Sequence, residues 1–221
     1  MVGRDDQREH LLKDQTGSYS GEPKVIPIVG MGGIGKTTLA EEVYNHESIL
    51  RRFDVRAWDT VSQQHNVKEI LLSLLQSTIK MDDTVKTKGS RILLTTHNTE
   101  VARYAGVENL SLRMSFMDQD ESWSLFKSAA LSGEALPYEF EAVGKQIADE
   151  LHGLPLTIVV VAGLLKSKRA IEDWESVAKD VKSFVTNDPD ERCSRVLGLS
   201  YDHLTSALSM NGIQMLGDLL D

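Results

Sequence analysis

Apolar residues along this chain fall into two rhythms, short unbroken runs and stripes of helical period. Val25, Ile26, Pro27, Ile28 and Val29 form a compact run that stops at Gly30, the pattern of a strand buried on both faces. Pro27 counts against a central strand because it cannot donate to a ladder. The strand is therefore expected with one missing hydrogen bond or a local bulge. A helical stretch, Lys36 to Asn45, follows. Phe53-Asp54-Val55-Arg56-Ala57-Trp58 alternates with period two and predicts a second strand. Apolar positions 67, 70, 71, 74, 75 and 79 make a helical stripe between Val67 and Ile79. A polar connection, residues 81–89, leads to Arg91–Thr96, another buried strand, and Val107–Leu112 alternates weakly as a last one. Residues 2–14 predict a short amphipathic helix, followed by a turn-rich loop at 16–23. Strands alternating with helices in this order predict parallel pairing through helical crossovers.

From Met117 onward the pattern is helical throughout. Asp118, with Glu121 three residues on, resembles a capping box ahead of Trp123, Leu125, Phe126 and Ala129. Phe140, Val143, Ile147 and Leu151 share one face of the next helix. Gly153 stops that helix and Pro155 starts another at its first position. Ile171, Trp174, Val177, Ala178, Val181 and Phe184 form a further stripe. The fold class is α/β: a parallel sheet with flanking helices, followed by a small all-α subdomain, with the boundary near 113–117.

Composition narrows the function. The 221 residues are 41% apolar and 26% charged, enough for a real core. Against 33 acidic side chains there are 24 basic ones, a net charge of −9. Such a surface is a poor match for nucleic acid or an anionic membrane, because phosphate contacts need basic groups. A single cysteine, Cys193, excludes an intrachain disulfide framework and a multi-cysteine zinc site, and fits a reducing compartment. The apolar run Leu154–Leu165 is about twelve residues long, short of the ~20 that span a bilayer. It reads as a buried core helix. The N-terminus is polar and acidic, with no secretory pattern. A cytoplasmic chain without a membrane span is expected.

Gly30-Met31-Gly32-Gly33-Ile34-Gly35-Lys36-Thr37-Thr38 satisfies G-x-x-x-x-G-K-[ST]. Glycines let several backbone N–H groups converge on one anion. Lys36 reaches the β- and γ-phosphates as a point charge, and the Thr37 hydroxyl is placed to ligate Mg²⁺. The helix that begins there adds its positive end. An apolar strand before the loop and a helix after it complete the expected context. Other chemistry is thin. His10, His46, His65, His152 and His203 share no ligand spacing with Cys193, and surface or capping roles suit them better. No serine, histidine and acid grouping has a hydrolase context. Trp58, Trp123 and Trp174 sit in apolar stripes as core residues, and Glu41-Glu42 reads as a solvated helix face.

These residues carry a resemblance. The run from Val25 to Ala40 resembles the NB-ARC module of plant intracellular disease-resistance proteins, in the coiled-coil, nucleotide-binding, leucine-rich-repeat class. Four more blocks are similar in the expected order: Val2-Gly3-Arg4; Phe53-Asp54 through Trp58 with Val61-Ser62-Gln63; Gly89 through Thr96; and Gly153-Leu154-Pro155-Leu156. The resemblance covers residues 1–204. It implies a P-loop nucleotide-binding domain at 1–114, a helical subdomain at 115–204 and a divergent tail at 205–221 in place of a winged-helix domain. It also implies ADP or ATP as ligand, with Mg²⁺ on Thr37 when a triphosphate is bound. Val2 and Gly3 would lie against adenine and ribose, and Pro155 would close over the adenine. Gly30, Gly32, Gly33, Ile34, Gly35, Lys36, Thr37 and Thr38 would surround the phosphates. Position 97, where the family carries a γ-phosphate-sensing arginine, is His97. Such modules rest with ADP, then open and oligomerise when ATP replaces it. In full-length relatives the partners are coiled-coil and leucine-rich-repeat regions.

Three departures modify this expectation. The family's acidic strand is absent, since the chain passes from the 67–79 helix to Gly89 in about ten residues. Met81-Asp82-Asp83 lacks the apolar lead-in, so a solvated turn suits it better than a carboxylate site. His97 is shorter than arginine and carries little charge at neutral pH, which weakens γ-phosphate sensing. No methionine-histidine-aspartate motif follows residue 204. The chain reads as an internally deleted, truncated copy. The expected function is an ADP/ATP-binding switch module in plant immune signalling, at most a very weak ATPase, with no catalytic residue assigned. The alternatives are a catalytic P-loop NTPase or small-molecule kinase, and a non-switching interaction fragment that has lost nucleotide control.

Overall fold

The computed structural model describes residues 3–17, 23–61, 66–78, 89–105, 111–131, 137–183, 188–189 and 191–201. The chain divides into two compact units interleaved in sequence. One comprises residues 1–5, 29–36 and 113–221, the other residues 6–28 and 37–112. The elements in chain order are α1 (Asp5–Thr16), β1 (Lys24–Val29), α2 (Lys36–Tyr44), α3 (Glu47–Arg52), α4 (Val67–Thr78), β2 (Arg91–Thr96), α5 (Thr99–Ala105), β3 (Leu112–Arg113), α6 (Gln119–Ala130), α7 (Tyr138–Glu150), α8 (Pro155–Leu165) and α9 (Ile171–Ser183). Residues 191–201 are also helical.

The strands form one parallel sheet in the order β2-β1-β3, flanked by helices. The α/β fold class expected from the sequence is the one observed. Pro27 lies in the middle strand, and ladder geometry explains why it is tolerated. Lys24 N–H donates to Ser90 O (3.1 Å), beside β2, whereas Val29 O accepts from Met114 N–H (2.8 Å), just beyond β3. Main-chain groups alternate sides along a strand, so Pro27 directs its missing donor toward β3. Among the described residues that strand is two residues long.

Residues 53–58 form no strand, contrary to the expectation from their alternation. A strand needs a partner's main chain, and no strand among the described residues lies on the outer side of β2. Side chains hold the segment instead. The Arg56 guanidinium donates to Tyr44 O (2.7 Å) and lies 4.6 Å from the Tyr44 ring centre, and Trp58 meets the same ring edge-on at 5.3 Å. Trp58 is exposed rather than in the core. The core of this unit comes from Leu11, Ile26, Ile28, Leu39, Val43 and Ile49. Glu42, expected as part of a solvated face, pairs with Arg8 at 3.1 Å. His46 caps α3, its Nδ1 accepting from Ser48 N–H.

The other unit is mostly helical. α6 packs on α7 and α8, and α7 on α9. Phe126 stacks on Trp123 (5.7 Å between ring centres) and meets Trp174 edge-on (6.0 Å). The run 154–165 is the buried helix α8, with Ile158, Val161 and Leu165 in the core. No helix of the described residues is long and apolar enough to cross a membrane.

Two local signals fix this unit's corners. Gly153 has φ +74°, and a Cβ there would overlap Met117 O, so any side chain would displace the α7–α8 corner. Asp118 accepts from Glu121 N–H (2.8 Å) while Glu121 accepts from Asp118 N–H (2.9 Å), a complete capping box on α6. Asp118→Ala removes one of these bonds and unseats the other. We expect it to cost about 1 kcal/mol, read as a fall of roughly 2–4 °C in the calorimetric melting temperature. An unchanged melt would show that the α6 cap carries no stability.

Candidate functional site

The phosphate-type loop lies within the mainly helical unit and is built from the end of β1 to the first residue of α2. Gly33 and Gly35 have φ +74° and +94°, a region costly for residues with a Cβ. Gly33 is constrained from outside as well: a Cβ there would come within 2.9 Å of Leu156 Cβ. Ile34 is buried and anchors the loop to the interior. A Cβ on Gly32 would meet no protein atom within 4 Å. Gly32 therefore faces the open side of the loop, where a ligand's oxygens can approach the backbone closely.

Lys36 organises this side. Its ammonium donates to Gly30 O (2.8 Å) and Met31 O (2.7 Å), tying the loop's start to its end. An ammonium carries three N–H donors, so one remains for an anion. Burial pushes the Lys36 pKa below its usual value. Thr37 and Thr38 follow in the first turn of α2, both exposed. That turn carries no acidic side chain, so the positive end of the helix is not neutralised locally. Phosphate fits this donor set: an open cradle, backbone N–H groups at a helix start and one poised cation. Thr37 offers a single hydroxyl to a metal. Among the described residues no three His, Cys, Asp or Glu side chains gather as a metal cluster, so Mg²⁺ there would be held largely by phosphate oxygens and water.

One further segment meets the loop in the same unit. Leu156 N–H, at the start of α8, donates to Gly33 O (3.2 Å), and Pro155 beside it is buried. Gly3 packs against α6, where a Cβ would sit 2.9 Å from Met117 Cε. Arg4, which enters the resemblance only through the Val2-Gly3-Arg4 block, is buried, donating to Ser115 O (2.7 Å), while its Nε has no acceptor among the described residues. Desolvation lowers its pKa, opposed by the charge of Glu121. An arginine beside an N-terminal glycine was the available signal. Val2, Asp82 and Asp83 lie outside the described residues. His97 is exposed just past the C-terminal end of β2, in the unit that also holds Thr37 and Thr38.

A strand-loop-helix phosphate cradle recurs in many families, so comparison with known proteins decides which. The NB-ARC domain matches residues 8–90 and 78–136, more than half of the chain. The chain belongs to the NB-ARC family. It is 32% identical to a disease resistance protein of Arabidopsis thaliana, over 92% of this chain and 30% of that protein. It is likewise 32% identical to late blight resistance protein R1-A of Solanum demissum, over 85% of this chain and 18% of that protein. With disease resistance RPP8-like protein 3 of Arabidopsis thaliana the identity is 30%, over 84% and 26%. The chain thus spans less than a third of the length of each of these relatives. The first alignment runs to 259 positions against a chain of 221 residues, so at least 38 positions of that relative have no counterpart here. That gap accords with an internally deleted NB-ARC module, a member of a family of nucleotide-binding modules.

Proposed function

We propose that this chain is an adenine-nucleotide-binding switch module of a plant immune receptor lineage, which holds ADP at least as well as ATP and turns ATP over negligibly. The observation that carries it is Lys36, tied to Gly30 O and Met31 O with one N–H to spare above an open Gly32. In this assignment Gly30, Gly32, Gly33, Ile34, Gly35, Lys36, Thr37 and Thr38 surround the phosphates. Val2 and Gly3 contact adenine and ribose, and Pro155 covers the base from the helical side. Thr37 takes Mg²⁺ with a triphosphate, and His97 stands where the γ-phosphate would be sensed. Residues 1–114 and 115–204 serve as nucleotide-binding and helical subdomains. Disease resistance, in the names of the relatives, supplies the biological setting. Coiled-coil and leucine-rich-repeat regions, and an oligomer formed on activation, are the corresponding partners, in the cytoplasm.

Native mass spectrometry of the purified chain tests the ligand directly, with the mass of one ADP retained on the folded protein as the expected result. A chain free of nucleotide that also takes up neither ADP nor ATP in calorimetry would overturn the proposal. The positions of the relative that have no counterpart here favour a second possibility, a module that binds but does not switch. Identical proteolytic patterns with ADP and with ATP would select it.

A further inference from the structure

The first N–H groups of a helix have no acceptor within it and need one from outside. At the start of α8 the usual source is lacking. The N-cap is Leu154, which makes no side-chain cap bond, and Pro155 at the first position has no N–H to satisfy. The next N–H, that of Leu156, donates to Gly33 O in the phosphate loop (3.2 Å). A loop distant in sequence thus does for α8 what a serine or aspartate does for other helices.

The same peptide group of the loop is tied at its other end. Ile34 N–H donates to Met31 O (3.4 Å). The C=O and N–H of a trans peptide point in opposite directions, so two bonds set the plane of the Gly33–Ile34 peptide. Packing acts in the same sense. A Cβ on Gly33 would lie 2.9 Å from Leu156 Cβ and 3.0 Å from its Cδ2, so the leucine side chain rests on the glycine backbone. The start of α8 is held from a second direction, since Gly153 O accepts from Met117 N–H (2.9 Å), and Leu154, Pro155 and Thr157 are buried. All of these residues belong to one compact unit.

We propose that the phosphate loop and α8 cap one another, and that Leu156 is a positioning residue for the nucleotide. A carbonyl oxygen turned into the cradle would repel phosphate oxygens, and Leu156 N–H holds the Gly33 oxygen toward α8 instead. The open side at Gly32 then keeps its N–H groups for the ligand, and the loop is ordered before the ligand arrives, which lowers the cost of binding. Coupling of this kind is reciprocal: a phosphate that steadies the loop also steadies the first turn of α8. Occupancy of the loop is thereby passed to the helical residues through one main-chain bond, and Leu156 acts without touching the ligand. The positioning role rests on the reading of the loop as a nucleotide site, whereas the mutual cap does not.

Amide exchange on the full chain, with and without ADP, reads the cap directly. Lys166 N–H, bonded to Ala162 O at the far end of α8, serves as the reference. With ADP bound, exchange at Leu156 should slow by roughly tenfold relative to Lys166, as expected for one strengthened hydrogen bond. In the free chain, Gly33→Ala should speed exchange at Leu156 by roughly tenfold with Lys166 unchanged, because the new Cβ pushes the first turn of α8 off the loop. The same substitution should weaken ADP binding at least tenfold. Adding Leu156→Gly, which removes the opposing side chain and keeps the N–H, should recover at least fivefold of that loss. If Gly33 mattered only through direct contact with phosphate, no recovery would follow, and that result would overturn the proposal. So would ADP binding, seen by calorimetry, that leaves Leu156 exchange unmoved. A wild-type chain that takes up no ADP would sink the nucleotide reading alone. Free-chain exchange still decides the cap in that case, and an unchanged Leu156 rate in Gly33→Ala refutes it.

Discussion

Replacing Lys36 by alanine is expected to weaken ADP binding by about two orders of magnitude while leaving the helical signal of the chain unchanged. The ammonium makes two bonds to loop carbonyls, Gly30 O and Met31 O, and has one donor left for phosphate. A hydrogen bond to a charged group contributes about 1.5–3 kcal/mol, and loss of the two loop ties adds an entropic cost when the cradle must order around its ligand. Lys36→Arg keeps the charge but spreads it over a planar fork that cannot meet both carbonyls and the phosphate from one point, so binding is lost there too. The fold is spared for an electrostatic reason. Burial lowers the Lys36 pKa, so the unfolded chain holds that proton more tightly than the folded one. The charged side chain therefore opposes folding below its folded pKa, and the opposition is lost as pH rises from the folded to the unfolded value. Removing it forfeits no stabilising charge. Binding runs the other way: phosphate needs the charged form, so ADP affinity should start to fall at a pH below that of an ordinary lysine. Calorimetric titration across pH reads both effects, and equal ADP affinity for wild type and Lys36→Ala would remove Lys36 from the site.

What the sequence made legible is local in origin. The capping box on α6 needs only Asp118 and Glu121, and both of its bonds form. Gly153 and Pro155 mark the α7–α8 corner because positive φ and a missing N–H are properties of single residues. The loop from Gly30 to Lys36 combines both kinds of signal. What escaped depends on partners distant in sequence. Residues 53–58 alternate like a strand, but alternation records only which side chains could be buried and cannot supply the neighbouring main chain. The stripe on α4 is correct as a helix, yet Val67, Leu71 and Leu75 are left exposed, because what a helix covers is decided elsewhere in the chain. Pro27 misled in the opposite sense, since its cost depends on the length of β3 rather than on anything near residue 27. The burial of Arg4 was missed because it is set by the Ser115 carbonyl, 111 residues away.

ATP turnover is expected to be lower than that of an NB-ARC module without the gap by at least two orders of magnitude. In the proposed site the loop and Lys36 would serve the β-phosphate through backbone donors and one cation. Cleavage of the γ-phosphate asks for more: a group that orients the attacking water, charge that balances the three equatorial oxygens, and a metal held firmly between the phosphates. Thr37 offers the metal one hydroxyl, and the described residues contain no cluster of three metal-ligating side chains. At position 97 a histidine replaces the planar, permanently charged fork that arginine would bring to the γ-phosphate. Removing a single preorganised donor for transition-state charge already costs about 10²–10³ in rate, and here position 97 is a histidine and the described residues gather no carboxylate cluster. Ground-state binding of ADP depends on neither. A single-turnover assay with labelled ATP, run beside a module that retains the longer sequence, separates the two, with bound nucleotide recovered uncleaved as the expected result. Cleavage at the rate of the longer module would mean that a carboxylate of this chain, Asp82 or Asp83 in the α4–β2 connection, orients the water after all.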